Sequence, residues 1–478
     1  MNNKAMLALL IVTTALPRTG MFAAEPSAKP KASDPKSSAV SAKGPLRVHP
    51  KNPRYFRDGS GRAIYLTGAH TWANLQDLGF TDPPPAFDFD AHLDFLEKHH
   101  HNFIRLWRWE LTRWTEGRDR KVRYCALHPW KRSGTAKALD GKPQFDLKQL
   151  DPVYFERLRS RVAAAGKRGI YVSIMLFEGW GLSFASWDGH PFNVHNNVQG
   201  INGDPNGDGK GRETHTLAIA AVTAIQKAYV RQVIDTVNDL DNVLYEVANE
   251  SGLYSTEWQY HMIRYIKTYE AKKSKQHPVG MTSDGYGGED DTDRLFKSPA
   301  DWISPSPDRD DYKSNPPAST GAKVILLDTD HLWGVGGNRA WVWKSFLRGH
   351  NPIWMDPYAN PSVWEPLPNN ANDVRRNLGD ARRYAEKVNL AAMTPANELA
   401  STKYCLANRG SEYLVYLPDS GTVAVDLSDA PGDFTVEWHN PATGKATRAG
   451  TIAGGGRRQF KAPFKTDAVL YLVRASRR

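Results

Sequence analysis

One pattern constrains this chain more than any other: across residues 46–395, short β-prone apolar runs alternate with stretches of helical spacing. The predicted strands are 63–72, 102–110, 170–178, 242–250, 278–284, 302–305, 323–331 and 351–356. Helical stretches at 90–100, 152–167, 216–239, 256–275 and 338–348 lie between most of them, and 373–387 follows the eighth. Strands separated by helices must run parallel. Eight of them in succession predict an α/β fold, a (β/α)8 TIM barrel.

The chain changes character on either side of that region. Residues 396–478 are short β runs broken by Gly, Pro, Asn and Asp turns, the pattern of a small C-terminal antiparallel β-sandwich. At the other end, Lys4 precedes an apolar run from Ala5 to Leu16, with small residues at Ala23 and Ala24. This is the layout of a signal peptide over residues 1–24, too short to span a bilayer, and it predicts a secreted or periplasmic protein. Residues 25–45 are rich in Ala, Ser, Lys and Pro and read as a disordered linker. No other segment is long and apolar enough for a membrane span. The net charge of +10 falls to +8 without residues 1–24, which hold Lys4 and Arg18 and no acid. That charge is spread along the chain and accompanied by no binding motif, so it reads as a solvated surface and no nucleic-acid partner is expected. Cys125 and Cys405 read equally as a pair or as two separate thiols.

In a TIM barrel the C-terminal ends of the strands carry the chemistry. Those ends hold His70 and Trp72, Trp107, Trp109 and Glu110, Glu178 and Trp180, Asn249 and Glu250, Asp284, Asp328, Asp330 and His331, and Trp354 and Asp356. Trp333 stands just beyond the seventh strand. An ordinary barrel has no need of so many acids and tryptophans on one rim. Of the fifteen Trp, half or more are expected in the core; flat rings at the rim suit a sugar. Glycoside hydrolysis needs two carboxyl groups, one protonated to help the leaving oxygen and one ionised to attack the anomeric carbon or activate water. Glu250 closes the apolar run "NVLYEVAN" and suits the donor, with Asn249 beside it for a sugar hydroxyl. Standing alone, Asn-Glu after a strand would read as a helix cap.

Arg105 on the second strand is placed to orient a carboxylate through a bidentate contact, or to form an internal salt bridge. Glu110 and Glu178 are candidates for hydroxyl binding or for supporting acids, as are His70 and His331 for hydroxyls. Metal ligation by these groups lacks HExxH or comparable spacing, so no cofactor is required. GxGxxG, P-loop and GxSxG patterns are absent. A separate stretch, "NGDPNGDGKGRE", places Asp204, Asn206, Asp208 and Gly209 like the first half of a calcium loop. The closing acid of such a loop would fall on His215, and Glu213 is off register. A structural calcium ion and a plain Gly-rich surface loop are the two readings.

The motifs "NPRYFRDGSGRAIYLTGAHTW", "NFIRLWRWE", "YEVANE" and "VILLDTDHLWG" together resemble the clan A retaining glycoside hydrolases, most closely the apiosidase-like, cellulase-related barrels. The tail is similar to the module named collagen-binding in that family. The resemblance implies a carbohydrate substrate, Glu250 as acid/base and a nucleophile ending strand seven, where clan A carries Glu. This chain has "LLDTDH" there: Asp328 aligns best, and Asp330 lies two residues on. Asp is one methylene shorter than Glu, which leaves inversion open beside retention. It also keeps open a non-catalytic glycan- or collagen-binding protein on the same barrel, with matrix or polysaccharide held by the C-terminal domain.

Overall fold

The computed structural model describes residues 41–115, 121–183, 186–285, 291–308, 310–358 and 366–475. The leader at 1–24 and most of the linker at 25–45 lie outside the described residues. Eight parallel strands form the barrel: β1 (Gly68–His70), β2 (Phe103–Leu106), β3 (Tyr171–Glu178), β4 (Val243–Asn249), β5 (Val279–Thr282), β6 (Trp302–Ser304), β7 (Val324–Asp328) and β8 (Asn351–Met355). They pair in the order β1-β8-β7-β6-β5-β4-β3-β2. Every residue of β3 and β4 is buried, as expected of parallel strands covered on both faces. Their register sets Glu178 opposite Asn249.

The last seam, between β1 and β2, is closed by side-chain amides. Asn102 accepts from the Thr67 N–H (3.0 Å) and donates to the Tyr65 carbonyl (2.9 Å). Further up, Asn74 donates to the Arg105 carbonyl and accepts from the Trp107 N–H (2.6 and 2.8 Å), and Gln76 accepts from the Trp109 N–H (2.6 Å). Beside the backbone bond from the Asn102 N–H to the Thr67 carbonyl (3.0 Å), three amides thus satisfy buried backbone groups along the seam.

Helices α1 (Phe89–Lys98), α2 (Pro152–Lys167), α3 (Ala220–Val237), α4 (Thr256–Glu270), α5 (Asp291–Lys297), α6 (Arg339–Leu347) and α7 (Ala371–Lys387) surround the strands. Their starts are written locally. Asp88 caps α1 by accepting from the Ala91 N–H, and Asp151 precedes Pro152 at the first turn of α2. α2 then turns Tyr154, Phe155, Leu158 and Val162 inward.

Several predicted strands are shorter than expected: 63–72 becomes Gly68–His70, 102–110 becomes Phe103–Leu106, 278–284 becomes Val279–Thr282 and 323–331 becomes Val324–Asp328. Residues 63–64 leave the barrel to pair with Phe56–Arg57, which pairs in turn with Arg47–Val48. The turn at 58–62 dictates this: Asp58 accepts from the Ser60 and Arg62 N–H groups and reverses the chain. Strand seven stops at Asp328 because that side chain accepts from the Asp330 N–H and starts a short helical turn at Thr329–His331. Residues 42–43, inside the stretch read as linker, lie against the barrel: the Ala42 N–H meets the Gly166 carbonyl, and Tyr171 donates to the Lys43 carbonyl.

The C-terminal strands are β9 (Cys405–Asn408), β10 (Glu412–Leu417), β11 (Thr422–Asp426), β12 (Asp433–Asn440), β13 (Lys445–Ala453), β14 (Arg457–Lys461) and β15 (Ala468–Arg474). One antiparallel sheet runs β9-β10-β15-β12-β13, and β11 pairs with β14. Between them lies a separate core of Val415, Val423, Phe434, Phe460 and Leu470. This unit docks on the last two barrel helices. Tyr384 and Lys387 of α7 both donate to Glu437 (2.8 and 2.7 Å), and Arg339 of α6 donates to Asp467 (3.0 Å). Cys125 and Cys405 are separate, buried, free thiols. Among the described residues no helix is long and apolar enough to cross a membrane.

Candidate active site

An arginine organises the rim. Arg105, one residue before the end of β2, points into the barrel, and its Nε and Nη2 hold Glu246 of β4 in a fork (2.8 and 2.5 Å). Nη1 donates to Asp328 (3.1 Å) and to Asp330 (2.8 Å), and Nη2 also donates to Asn249 Oδ1 (2.6 Å). One guanidinium thus gathers three carboxylates and an amide from β4 and the end of β7. Arg105 forms internal ion pairs, and its bidentate fork goes to Glu246, with single contacts to Asp328 and Asp330. Glu246 was missed from sequence, although an acid in the middle of an apolar strand is itself a signal of a buried partner.

The two aspartates after β7 have different surroundings. Asp328 is almost wholly buried and takes the His70 Nε2 at 3.0 Å as well as Arg105. Burial opposes its charge, but His70 and Arg105 outweigh it and hold the carboxyl well below the usual range. Asp330 keeps fewer partners. Burial, with Asp328 beside it, outweighs Arg105 and pushes its carboxyl up to about 6. His331 sits between Ser304 Oγ (2.8 Å, Nδ1) and Asn249 Oδ1 (3.1 Å, Nε2). Burial and Arg105 lower its pKa to about 3, so the ring is neutral and positions Asn249. Arg105 and His331 both occupy Asn249 Oδ1, and among the described residues nothing accepts from its Nδ2, which is left as a donor for the cleft.

Glu250 follows β4 with φ of 44°, a left-handed conformation that a non-glycine residue adopts only when its surroundings demand it. Its neighbour in space, Gly285, leaves no room for a side chain: a Cβ there would lie 2.6 Å from Glu250 Cδ. Burial, then the Asp330 and Glu178 carboxyls, push Glu250 well above the ordinary range against the pull of Arg105.

Glu110 and Glu178 separate in role. Glu110 accepts from His190 (3.2 Å), His215 (2.9 Å) and the Glu178 N–H (3.1 Å), so its oxygens are spent inside the protein. The expectation that it meets substrate is corrected on that ground. His215 also reaches Ser251 Oγ (2.9 Å), tying this cluster to the residue after Glu250. Glu178 accepts from the Gly181 N–H (3.0 Å), yet burial, aided by Glu110, pushes its carboxyl up to about 8. Its folded pKa lies above the model-peptide value of 4.5, so its penalty is absent below that pH and grows as pH rises toward 8. Glu178→Gln is therefore expected to flatten the alkaline fall in stability, by of order 4 kcal/mol at pH above 8. Urea unfolding of both proteins at pH 5 and pH 9 measures it; parallel losses would refute it.

Asp356 also fails as a sugar ligand: it is fully buried and held by both arms of Arg375 (2.8 and 2.6 Å). Trp72 and Trp109 belong to a buried cluster with Trp107 and Trp114, in which Trp109 Nε1 donates to the Trp72 carbonyl (2.9 Å). Trp107 carries the stacked His70 ring at 5.6 Å and lies 5.0 Å under the Arg105 guanidinium. Trp180 packs on this cluster while partly open, and Trp333 is exposed. Of the tryptophans expected at the rim, these two present open ring surface, while Trp72 and Trp109 are buried. Among the described residues no three His, Cys, Asp or Glu side chains group as a metal cluster; in the loop read as a calcium site, Asp204 is buried while Asn206 and Asp208 are exposed.

The fold, a parallel eight-stranded barrel followed by an antiparallel unit, is shared by known structures. A structure named glycoside hydrolase superposes with a TM-score of 0.59 at 13% identity, over 91% of this chain and 98% of that one. A glycoside hydrolase family 5 protein from Bacteroides vulgatus superposes with a TM-score of 0.56, also at 13% identity, over 91% of this chain and 95% of that one. At such identity the likeness is one of fold. Residues 392–473 match the family described as "Putative collagen-binding domain of a collagenase". No curated protein sequence matches the chain.

Proposed function

We propose that this protein hydrolyses glycosidic bonds, with Glu250 as general acid/base and Asp330 as its carboxylate partner. The observation that carries the reading is the placement of the pair: Glu250 follows β4 packed against Gly285, and Asp330 follows β7 bound to Arg105 (2.8 Å), with burial pushing Glu250 well above the ordinary carboxyl range and Asp330 up to about 6. Glu250 gives its proton to the glycosidic oxygen as the bond to the anomeric carbon breaks, and Asp330 attacks that carbon to form a glycosyl ester. Glu250, now ionised, takes a proton from water, which attacks the anomeric carbon and frees Asp330. Configuration is retained. Asn249 Nδ2 donates to the neighbouring sugar hydroxyl. The packing of Asp328 against His70 and Arg105 supports a positioning role for it. Action outside the cytoplasm rests on the leader read in residues 1–24, the narrower apiosidase-like specificity rests on the quoted motifs, and matrix or polysaccharide binding by the C-terminal unit rests on the matched family description.

A panel of plant and microbial glycans tests this. Hydrolysis of one of them should show kcat/KM rising through pH 6 as Asp330 ionises, and proton NMR should show the retained anomer first. Asp330→Asn should abolish turnover. Asp328→Asn should weaken it and move the acid limb to lower pH, because the charge of Asp328 no longer raises Asp330. Glycan binding without hydrolysis anywhere on the panel would instead favour the binding-protein reading.

A further inference from the structure

We infer that His215 is a positioning residue: through the Ser251 hydroxyl it holds Glu250 in its left-handed conformation. The inference rests on the acid/base role proposed for Glu250. That residue leaves β4 at φ 44°, a strained conformation that persists only where its neighbours fix it. Before it, the Asn249 side chain is held by Arg105 and His331, and the Asn249 carbonyl accepts from the Gly179 N–H (2.8 Å). After it, Ser251 is fully buried, and among the described residues His215 Nδ1 is the one partner of its Oγ (2.9 Å). Ser255 Oγ donates to the Ser251 carbonyl (3.1 Å). Gly179 closes on the same bend, since a Cβ there would lie 2.5 Å from Ser251 Cα.

His215 is itself fixed from several directions. Its Nε2 donates to Glu110 (2.9 Å), and its ring stacks on Trp258 with centroids 4.5 Å apart and planes 8° apart. Trp258 Nε1 donates to Gln226 (3.0 Å), whose amide donates to the Thr214 carbonyl (2.7 Å), so ring and backbone are clamped together. Burial opposes the charge of Glu110, but Arg108, His215 and His190 outweigh it and hold that carboxyl well below the ordinary range. An ionised Glu110 takes the Nε2 proton and leaves Nδ1 facing Ser251. The backbone at Glu250 in turn sets what its carboxyl meets: burial, Asp330 and Glu178 raise its pKa, Arg105 lowers it and Asp284 raises it. Released from His215, the bend relaxes and carries the carboxyl away from these groups.

Two substitutions in the full chain separate the contacts of His215. His215→Asn places an amide where Nδ1 stands and keeps Ser251; His215→Gln places one where Nε2 stands and keeps only Glu110. On a responsive glycan, Ser251→Ala and His215→Gln should each lower kcat roughly 10- to 100-fold with KM little changed. Both should move the alkaline limb of kcat to lower pH. His215→Asn should recover most of the loss, and Ser251→Ala should add nothing further to His215→Gln. A second readout needs no hydrolysis. The pKa of Glu250 is raised, so its penalty is absent below 4.5 and grows with pH, and Glu250→Gln should gain stability in urea between pH 5 and pH 9. Ser251→Ala should cut that gain by about half or more. Parental kcat with an unmoved limb, equal losses in both His215 variants, or an undiminished gain overturns the inference. Full activity of Glu250→Gln, or no turnover of any glycan, overturns the acid/base role instead, and the urea comparison then decides the inference by itself.

Discussion

Glu250→Gln is expected to lower kcat by about 10³- to 10⁴-fold on any glycan the protein turns over, with the fold unchanged. Gln keeps the shape of the side chain and the left-handed backbone at φ 44°, and it removes only the transferable proton. The space against Gly285 is preserved, so Tm and circular dichroism should match the parent. The signature of a lost acid lies in the leaving group: an aryl glycoside whose phenolate departs unaided should lose far less rate than a sugar leaving group. Full activity in the variant would refute the role. A uniform loss on both substrates would point to damaged binding instead.

Arg105→Met should be the most destabilising single change at the rim. It leaves Glu246, Asp328 and Asp330 buried without their shared cation. Removing one partner of a buried ionic group costs about 3–5 kcal/mol, which in a chain of this size corresponds to a Tm lower by roughly 3–6 °C. Arg105→Lys should recover little, since an ammonium cannot reproduce the fork to Glu246 while reaching Asp328, Asp330 and Asn249. Adding Glu246→Gln to Arg105→Met should restore part of the stability but none of the activity, because Glu246 faces only the arginine while the aspartates face the cleft. Additive losses in the double variant would contradict that coupling. The measurement is a double-mutant cycle in urea with turnover read alongside.

Much of this was legible from residue order. Apolar runs and helical spacing are local patterns, and eight of them in alternation leave few topologies open, so the barrel and its acid-bearing rim followed. Glu250 was marked by its place after an apolar strand. The docked β-sandwich announced itself through Gly, Pro and Asn turns. Strand boundaries were less secure: a turn built by Asp58 took residues 63–64 out of the barrel, and an Asp328 cap ended strand seven early.

The division of labour among the acids came only from the folded chain. Glu110, Glu178, Asp356, Asp328 and Asp330 look alike at strand ends, because a sequence carries residue type and spacing but not distance to groups far along the chain. His190 and His215 consume Glu110, Arg375 consumes Asp356, and His70 with Arg105 holds Asp328, each contact spanning from 19 to 258 residues. Those same long-range contacts shift each carboxyl's proton affinity up or down. Residue order thus determined the barrel and which end of it carries the acids; tertiary structure decided which acid keeps its proton, because charge and burial act through space.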